Sequence, residues 1–335
     1  MKHTELWAKC RDKQIMMETR PPASVLRRLW QHGLGRWGLV IMGFWLVMAL
    51  GGYVLATDTS PDANRMNLAY AAQPIGASLP LEEAPRLQAR PLHWWLLGDA
   101  GAPAWVPSDT QEIRMWLGTD RYGRDLWSRL ILGGRISLSV GLISVCIALL
   151  LGLPLGALAG YYGGALDRVL QTVIQIFWSI PTFLMVIALS FVLGKGFWQV
   201  FIAVGLTAWV EVARLVRGQV LSIKQAEFVQ AAEVLGYSPG RILWRHILPQ
   251  VVPALIVLAA SQFASAILLE SGLSFLGIGA QPPMPSWGGM IKDHYAYLLT
   301  GRAHLALIPG LALASLVLAF MSLGTALRDV LDVRS

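Results

Sequence analysis

The sequence predicts an all-α membrane protein with six spanning helices, and three observations support this class. Of the 335 residues, 55% are hydrophobic and only 14% are charged, whereas soluble domains usually carry about a quarter charged residues. Several runs contain no charged residue and are long enough to cross a hydrocarbon core about 30 Å thick, which needs about 20 helical residues. The basic residues are concentrated in three segments that six spans would place on one side of the membrane.

The spans follow from the charge-free runs, taken in chain order. The fourth run is the weakest, because it starts near Gly196 and reaches Glu211 before it attains spanning length. We still predict a span there and place its end near Val216. The other five predicted spans cover residues 37–56, 136–166, 169–194, 247–269 and 305–327.

Proline and glycine inside these spans predict how the helices bend and pack. Pro154 lies in the second span and Pro181 in the third. Each predicts a kink, because proline removes a backbone hydrogen bond from the helix. The second span also contains glycines at four-residue spacing, Gly152, Gly156 and Gly160. Small residues at this spacing allow two helices to approach closely in lipid.

The formal net charge of +7 is explained by membrane topology. A basic soluble chain would suggest a nucleic-acid partner, but here groups of basic residues lie in the N-terminal tail, in the loop after the fourth span and in the C-terminal tail. The arginines of the long external loop do not upset this topology, because long translocated loops largely ignore the charge rule. With six spans these segments share one side, which the positive-inside rule makes cytoplasmic. We therefore expect both termini in the cytoplasm, a lipid bilayer around the chain and no nucleic-acid partner.

The spans divide the chain into five parts. The long loop before the second span is rich in Pro, Gly and Asp, which predicts irregular structure with a short strand or helix. In it, His93, Trp94 and Trp95 either contact a ligand or, as such clusters more often do, pack the loop onto the membrane surface. Residues 271–303 are rich in Gly and Pro but apolar, so we expect them to dip toward the bundle or to lie on its rim. The parts are a cytoplasmic tail (1–36), a first spanning helix (37–57), an extracytoplasmic loop (58–135), a five-helix core (136–327) and a cytoplasmic tail (328–335).

A polar segment, EFVQAAEVLGYSPGRILWRHILPQ, separates the fourth and fifth spans. Its first part, residues 226–235, has the composition of a helix, and Gly236 follows where a left-handed C-terminal cap favours glycine. Ser238 and Pro239 are an N-cap residue and a first helical residue, so residues 241–248 form a second short helix. We expect a coupling loop over about 217–248, with a sharp turn between its two helices.

The spacing of the apolar residues leaves two interpretations of this loop open. One face of the first helix carries Phe228, Ala231, Ala232 and Leu235. In one interpretation this face packs against the end of the chain's own bundle. In the other it inserts into a groove of a partner protein, and the two small alanines favour a close approach. In the second helix, Ile242 and Ile247 lie roughly opposite Arg241 and Arg245.

The segment resembles the EAA loop of ABC-importer permeases, in the branch that imports dipeptides, oligopeptides and nickel. The family's pattern has two alanines, a glycine four residues later and Leu-Pro twelve residues after the glycine. The family's glutamate position is occupied by Gln230 here, which is a departure from the pattern. The pattern falls on Ala231, Ala232, Gly236, Leu248 and Pro249.

Four further segments resemble the same family in the same order, so the resemblance covers about residues 117–332. They are LGTDRYGRDLWSRLILGGRISLSVG (117–141), AGYYGGALDRVLQ (159–171), LSFLGIGAQPPMPSWGGM (273–290) and LIPGLALASLVLAFMSLGTALRDVLD (307–332). The resemblance implies the transmembrane domain of a type I ABC importer in the cytoplasmic (inner) membrane. It implies a second homologous permease, two ATPase subunits and an extracytoplasmic solute-binding protein as partners.

The resemblance also implies a transport subunit rather than an enzyme, with no cofactor of its own. ATP and Mg would be used by the partner ATPases, and the chain has no G-x-x-x-x-G-K-[ST] phosphate loop. Peptides are the first choice of solute. Nickel chelates, glutathione-like peptides, peptide antibiotics and oligosaccharides remain alternatives within the family.

Two groups of candidate functional residues follow. Carboxylates inside a membrane are functional suspects, although an interfacial or structural role is the alternative for Glu211 and Glu270. Glu211 could pair with Arg214 one turn on. The ATPase-coupling candidates are Phe228, Ala231, Ala232, Glu233, Leu235, Gly236, Arg241, Arg245, His246 and Pro249. The candidates for the substrate path or a gate are Asp120, Arg124, Asp125, Glu211 and Glu270.

Arg121 belongs to the same group of charges before the second span. This group either holds an external gate, meets the binding protein or anchors the helix at the interface.

Two other function classes are less well supported. A stand-alone secondary transporter would need coupling-ion ligands or inverted repeats, and a membrane enzyme would need motifs such as H-E-x-x-H or G-x-S-x-G. The sequence contains no H-E-x-x-H motif, and its six histidines have no metal-ligand spacing. Its one G-x-S-x-G match, residues 236–240, lies in the turn between two predicted helices and does not follow a strand, as the nucleophile turn of a hydrolase does.

Overall fold

A computed structural model describes residues 25–58, 60–81, 111–194 and 197–331. The first 24 residues of the predicted tail, the cluster of His93, Trp94 and Trp95, and residues 332–335 lie outside the described residues. The described helices are α1 Val25–Gln31, α2 Gly33–Leu50, α3 Gly52–Leu55, α4 Leu126–Tyr162, α5 Gly164–Trp178, α6 Thr182–Leu193, α7 Phe197–Lys224, α8 Glu227–Val234, α9 Pro239–Ile242, α10 Leu248–Leu276, α11 Trp287–His294 and α12 His304–Leu331.

The only sheet in the described part is small and lies before α4. Its strands, β1 Ser78–Leu81 and β2 Gln111–Arg114, pair antiparallel with Leu79 opposite Ile113. The short strand expected in the long loop is therefore present, and the other regular elements among the described residues are helical. A π-helical turn, Leu243–Ile247, joins α9 to α10 without a break.

Within the residues that the structure describes, five helical stretches are long and apolar enough to cross a membrane. They are α2, α4, Trp198–Lys224 of α7, the continuous stretch Pro239–Leu276 and α12. The predicted third span, 169–194, is not one kinked helix but two helices, α5 and α6, bent by 94°. The break lies at Pro181, which has no N–H to donate and disfavours helical geometry in the residue before it. The count of six therefore holds only if this bent pair is one span.

Among the predicted boundaries that differ from the structure, three affect the candidate sites. The second span starts at Leu126 instead of 136, because Asp125 caps α4. The fourth helix runs to Lys224 instead of Val216, so the first part of the predicted coupling loop belongs to α7. The fifth runs to Leu276 instead of 269, which places Glu270 in a helix interior. Charge-free runs report the apolar part of a helix, and each of these helices continues into polar sequence.

The glycines of α4 form the contact with α7, as their spacing predicts. A Cβ atom added at Gly152 would lie 2.6 Å from the carbonyl oxygen of Trp209, and one at Gly160 would lie 2.9 Å from that of Arg217. At Gly156 it would overlap the carbonyl oxygen of Ala213. The two helices therefore pack backbone against backbone, which only small residues permit.

The bundle has two ends, which we name for the segments that form them. The loop face consists of residues 56–58, 60–81, 111–125 and 277–303, and the hairpin face consists of residues 225–247. On the loop face, Trp287 is fully buried, and its indole N–H donates a 2.8 Å hydrogen bond to the carbonyl of Leu130. Its ring centroid lies 4.7 Å from that of Trp45. The segment after α10 thus dips into the bundle, one of the two placements expected for it.

Candidate functional site

The hairpin face carries the predicted coupling helices, and a glycine cap fixes the turn between them. Gly236 has φ of +77°, the left-handed conformation expected of it. Its N–H donates to the carbonyl of Glu233 at 3.0 Å, and that of Tyr237 donates to Ala232 at 3.1 Å. These two bonds form a Schellman cap. Ser238 precedes Pro239 in extended conformation as predicted, but its side chain makes no capping hydrogen bond.

One face of this hairpin is packed against the bundle. Its buried residues join side chains from the ends of α4, α7 and α10 in a single apolar cluster. Ala232 is only 4% exposed and belongs to this cluster, so its predicted place on the docking face is wrong. The hairpin residues in the cluster are Val229, Ala232, Ile242, Leu243 and Ile247.

The opposite face of the hairpin is exposed and apolar. Exposure reaches 46% at Phe228, 70% at Leu235, 88% at Val234 and 58% at Trp244. Val234 and Trp244 are not among the predicted coupling residues, although both are large apolar residues in a polar segment. The first interpretation is therefore confirmed for the inner face, and the second stays a prediction for the exposed face. The other predicted coupling residues that are exposed are Ala231, Glu233, Gly236, Arg241, Arg245 and Pro249.

Polar contacts hold the exposed cations and the base of the hairpin in place. The guanidinium of Arg241 lies 4.4 Å from the ring centroid of Tyr237. His246, which is partly buried, places Nδ1 3.4 Å from the carbonyl oxygen of Arg241. At the end of α7, Lys224 donates a 2.7 Å hydrogen bond to the carbonyl of Tyr161 in α4. A second tie joins α7 to α5, where Arg217 and Asp167 form a bidentate ion pair.

A cavity of about 390 Å³ lies between the bent pair α5–α6 and the helices α7 and α10. Its lining is mostly apolar, and its polar side chains are Glu211, Gln262 and the hydroxyl residues Thr182, Thr207 and Ser265. Gln262 donates a hydrogen bond to Glu211, and Arg214 instead lies 4.0 Å from the ring centroid of Trp178. The predicted pair of Glu211 with Arg214 is therefore wrong among the described contacts, because each residue has a different partner.

Glu270 lies apart from this cavity and has a different environment. It is fully buried and accepts hydrogen bonds from Ser274 at 2.6 Å and Ser271 at 3.4 Å. The hydroxyl of Ser274 also accepts from the N–H of Ala280 at 3.0 Å. Glu270 thus supports the chain that leaves α10 on the loop face, and does not line the intramembrane cavity.

The charges before α4 form a buried network on the loop face. Asp120 is fully buried and accepts from the backbone N–H of Arg124 at 2.9 Å and from its Nε at 2.6 Å. Arg124 also donates to Asn64 at 3.0 Å. Asp125 caps α4 by accepting from the N–H of Ser128 at 3.2 Å, and burial raises the pKa of its carboxyl group. This geometry fits an anchor that joins the loop to the helix better than a mobile gate.

The described residues contain no group of three or more His, Cys, Asp and Glu side chains that could hold a metal ion. The hairpin offers an exposed apolar surface, the intramembrane cavity offers a carboxylate, an amide and three hydroxyl groups, and the loop face offers a group of cations.

The chain matches one protein family and is similar to permeases of known transport systems. Residues 152–335 match the family described as binding-protein-dependent transport system inner membrane component. The glutathione transport system permease protein GsiD of Pectobacterium atrosepticum is 41% identical over 217 residues, which cover 65% of this chain and 72% of that protein. The dipeptide transport system permease protein DppC of Bacillus subtilis is 40% identical over 217 residues, covering 65% and 68%.

The fold also resembles a solved structure. An inward-facing structure of the MetNI methionine ABC transporter aligns with a TM-score of 0.51 at 21% identity. The alignment covers 60% of this chain and 96% of the other. At this identity the likeness concerns the arrangement of helices alone.

Proposed function

Because the chain belongs to the family of binding-protein-dependent transport system inner membrane components, we propose that it forms half of the transmembrane pathway of an importer for short peptides. Its fold is that of a type I ABC-importer transmembrane domain, and its family role is that of a permease subunit. The relatives named for glutathione and dipeptide transport support the choice of peptides as the solute class. A second, homologous permease completes the pathway.

Two ATPase subunits dock on the hairpin face, which is the cytoplasmic side in this proposal. The observation that carries the proposal is the two-sided hairpin. Its inner face is part of the core formed by α4, α7 and α10, and its outer face presents apolar side chains that no described residue covers. Uncovered apolar clusters of this kind mark protein–protein contacts. ATP and Mg bind to the ATPases, and this chain supplies no phosphate loop.

The hairpin transmits movement because it is rigidly connected to the bundle. The Schellman cap fixes the turn, and the continuous stretch Pro239–Leu276 joins the second hairpin helix directly to α10. When the ATPases close, they carry the hairpin with them, and α4, α7 and α10 follow as a rigid body. The pathway then changes from inward-facing to outward-facing. An extracytoplasmic binding protein delivers the solute at the loop face.

The intramembrane cavity is the proposed path of the solute through this half of the complex. Its walls are mostly apolar, and Glu211 with Gln262 supplies the polar contact for a peptide's ammonium group. A path with so few polar groups binds weakly. Selectivity therefore resides mainly in the delivery protein.

The test removes the apolar docking surface while leaving the core intact. Leu235→Asp places a charge on a side chain that is 70% exposed, so the chain should still fold and insert. Leu299→Asp is the matched control, since Leu299 is 94% exposed on the loop face. We expect the first variant to lose co-purification of the ATPase subunits by at least about tenfold, a loss of about 1.4 kcal/mol of binding free energy. The control should retain them.

Equal recovery of ATPases with both variants would refute the docking role of the hairpin. Reconstitution of the assembled complex in proteoliposomes then tests the solute class. ATP-dependent uptake of dialanine or glutathione is expected in the presence of the binding protein. If the proteoliposomes take up a nickel chelate but neither peptide, the solute is a nickel chelate and not a peptide.

A further inference from the structure

The loop face contains a cavity of about 290 Å³ that the network of Asp120 and Arg124 does not fill. It lies where the start of α4 meets the end of α10 and the segment that leads into α11. Its lining includes one carboxylate, that of Asp293. The cations that line it are Arg121, Arg124, Arg129 and Lys292.

The neighbouring carboxylates are already occupied by hydrogen bonds. Asp120, behind the cavity, accepts from the N–H groups of Tyr122 and Arg124 and from the Arg124 side chain. Asp293 accepts a 3.0 Å hydrogen bond from Arg121, and its second oxygen lies 3.9 Å from Arg124. The lining therefore has more cationic groups than its acidic residue can pair.

Two guanidinium nitrogens at the cavity lack hydrogen-bond acceptors. Arg129 is 5% exposed, and its buried Nε makes no hydrogen bond, with the nearest carboxylate oxygen, that of Asp120, 3.9 Å away. The Nε of Arg121 is also buried without a hydrogen-bond partner. A buried donor left without an acceptor is destabilising, and more so when it is charged. These donors are therefore arranged to receive an acceptor that the described part of the chain does not supply.

Lys292 completes the cationic lining from the side of α11. Gly277 ends α10 in the left-handed conformation, and a Cβ atom there would collide with the Lys292 ammonium group. The glycine thus allows the lysine to lie over the C-terminal end of α10, where carbonyl dipoles stabilise a cation. The ammonium group is held at the cavity without a carboxylate partner among the described ion pairs.

We propose that this cavity binds the carboxylate group of the solute as it leaves the delivery protein. Guanidinium groups match a carboxylate through paired N–H donors, and charge-assisted bonds of this kind are about twice as strong as neutral ones. The cavity is large enough for a terminal residue of a short peptide. This inference rests on the proposed function, because it takes a peptide with a free carboxylate as the solute.

The test measures binding to the assembled complex in nanodiscs without the binding protein. Dialanine and dialanine amide are titrated by saturation-transfer-difference NMR, since they differ only in the carboxylate. We expect the amide to bind at least tenfold more weakly than the free acid. Lys292→Gln should weaken binding of the free acid at least threefold, whereas Arg302→Gln, an exposed cation outside the cavity, should leave it unchanged.

Equal affinity for the acid and the amide, or unchanged affinity in Lys292→Gln, would overturn the inference. Lys292→Gln could instead weaken the affinity of the complex for the binding protein and leave its affinity for dialanine unchanged. The cavity would then bind a carboxylate of the binding protein, and the assignment to the solute would be wrong. Stimulation of ATP hydrolysis by the binding protein is measured on the same wild-type sample. If the binding protein does not stimulate ATP hydrolysis, the proposed function is refuted. If it does, but the complex binds dialanine and dialanine amide equally, only this inference is refuted.

Discussion

At the scale of single residues, backbone conformation and side-chain direction decide which residues of the hairpin form its turn, its core contact and its exposed surface. Gly236 is required by its positive φ, and a side chain there would meet no neighbouring atom. Its role is therefore conformational, and the sequence predicts it because glycine follows a helix. Ala232 shows the limit of such reasoning. Spacing places it beside Phe228 and Ala231, but only packing decides that it faces the core.

Replacing Gly236 by valine should uncouple ATP hydrolysis from transport. The left-handed conformation costs a side-chain-bearing residue about 1–2 kcal/mol, so the turn between α8 and α9 would loosen. We expect solute imported per ATP hydrolysed to fall severalfold in reconstituted complexes. Gly240→Val is the matched control, because Gly240 has open space around it and no positive φ. If Gly236→Val couples ATP hydrolysis to transport normally, the cap at Gly236 is not needed for coupling.

Glu211→Gln should reduce transport without disturbing the fold. A glutamine at this position still accepts a hydrogen bond from Gln262, but it offers no charge to a passing ammonium group. We expect uptake of dialanine to fall severalfold while uptake of N-acetyl-dialanine changes less, in the same proteoliposomes. Glu112→Gln, an exposed carboxylate on the loop face, is the control. An equal loss for both peptides would argue against contact between Glu211 and the ammonium group.

At the scale of helices, the sequence predicts which segments are helical better than it predicts where they bend and end. The apolar runs locate every long helix in the described part of the chain, because burial in lipid requires them. The 94° bend at Pro181 is not predicted from the run 169–194, since a proline in a membrane helix is compatible with a slight kink or a full break. The extended ends of α4, α7 and α10 depend on caps and polar contacts that hydropathy does not report.

The contact between α4 and α7 gives a prediction at this scale. Gly156→Ala should destabilise the chain by about 1–3 kcal/mol, because the added methyl group would overlap the carbonyl of Ala213 and force the helices apart. Gly218→Ala in α7 is the control, since a Cβ atom there meets nothing within 4 Å. Thermal unfolding in detergent should show a lower midpoint for the first variant only. Equal midpoints would show that the helices can separate at little cost.

At the scale of the whole molecule, the chain is a bundle with different chemistry at each end. The loop face combines a buried ion-pair network with a cationic cavity, and the hairpin face carries an apolar surface fixed to the core. The fold class and the family follow from the sequence, because they depend on apolar runs and a motif pattern. The two cavities do not, since each is lined by residues far apart in the chain.

The central claim is that an ATPase subunit contacts the outer face of the hairpin in the assembled complex. The most direct measurement places a photo-cross-linking amino acid at position 235 and, as a control, at position 299 on the loop face. The account predicts that position 235 cross-links to an ATPase subunit and that position 299 does not. Cross-links from position 235 that stay within this chain, or that reach only the second permease, would contradict it.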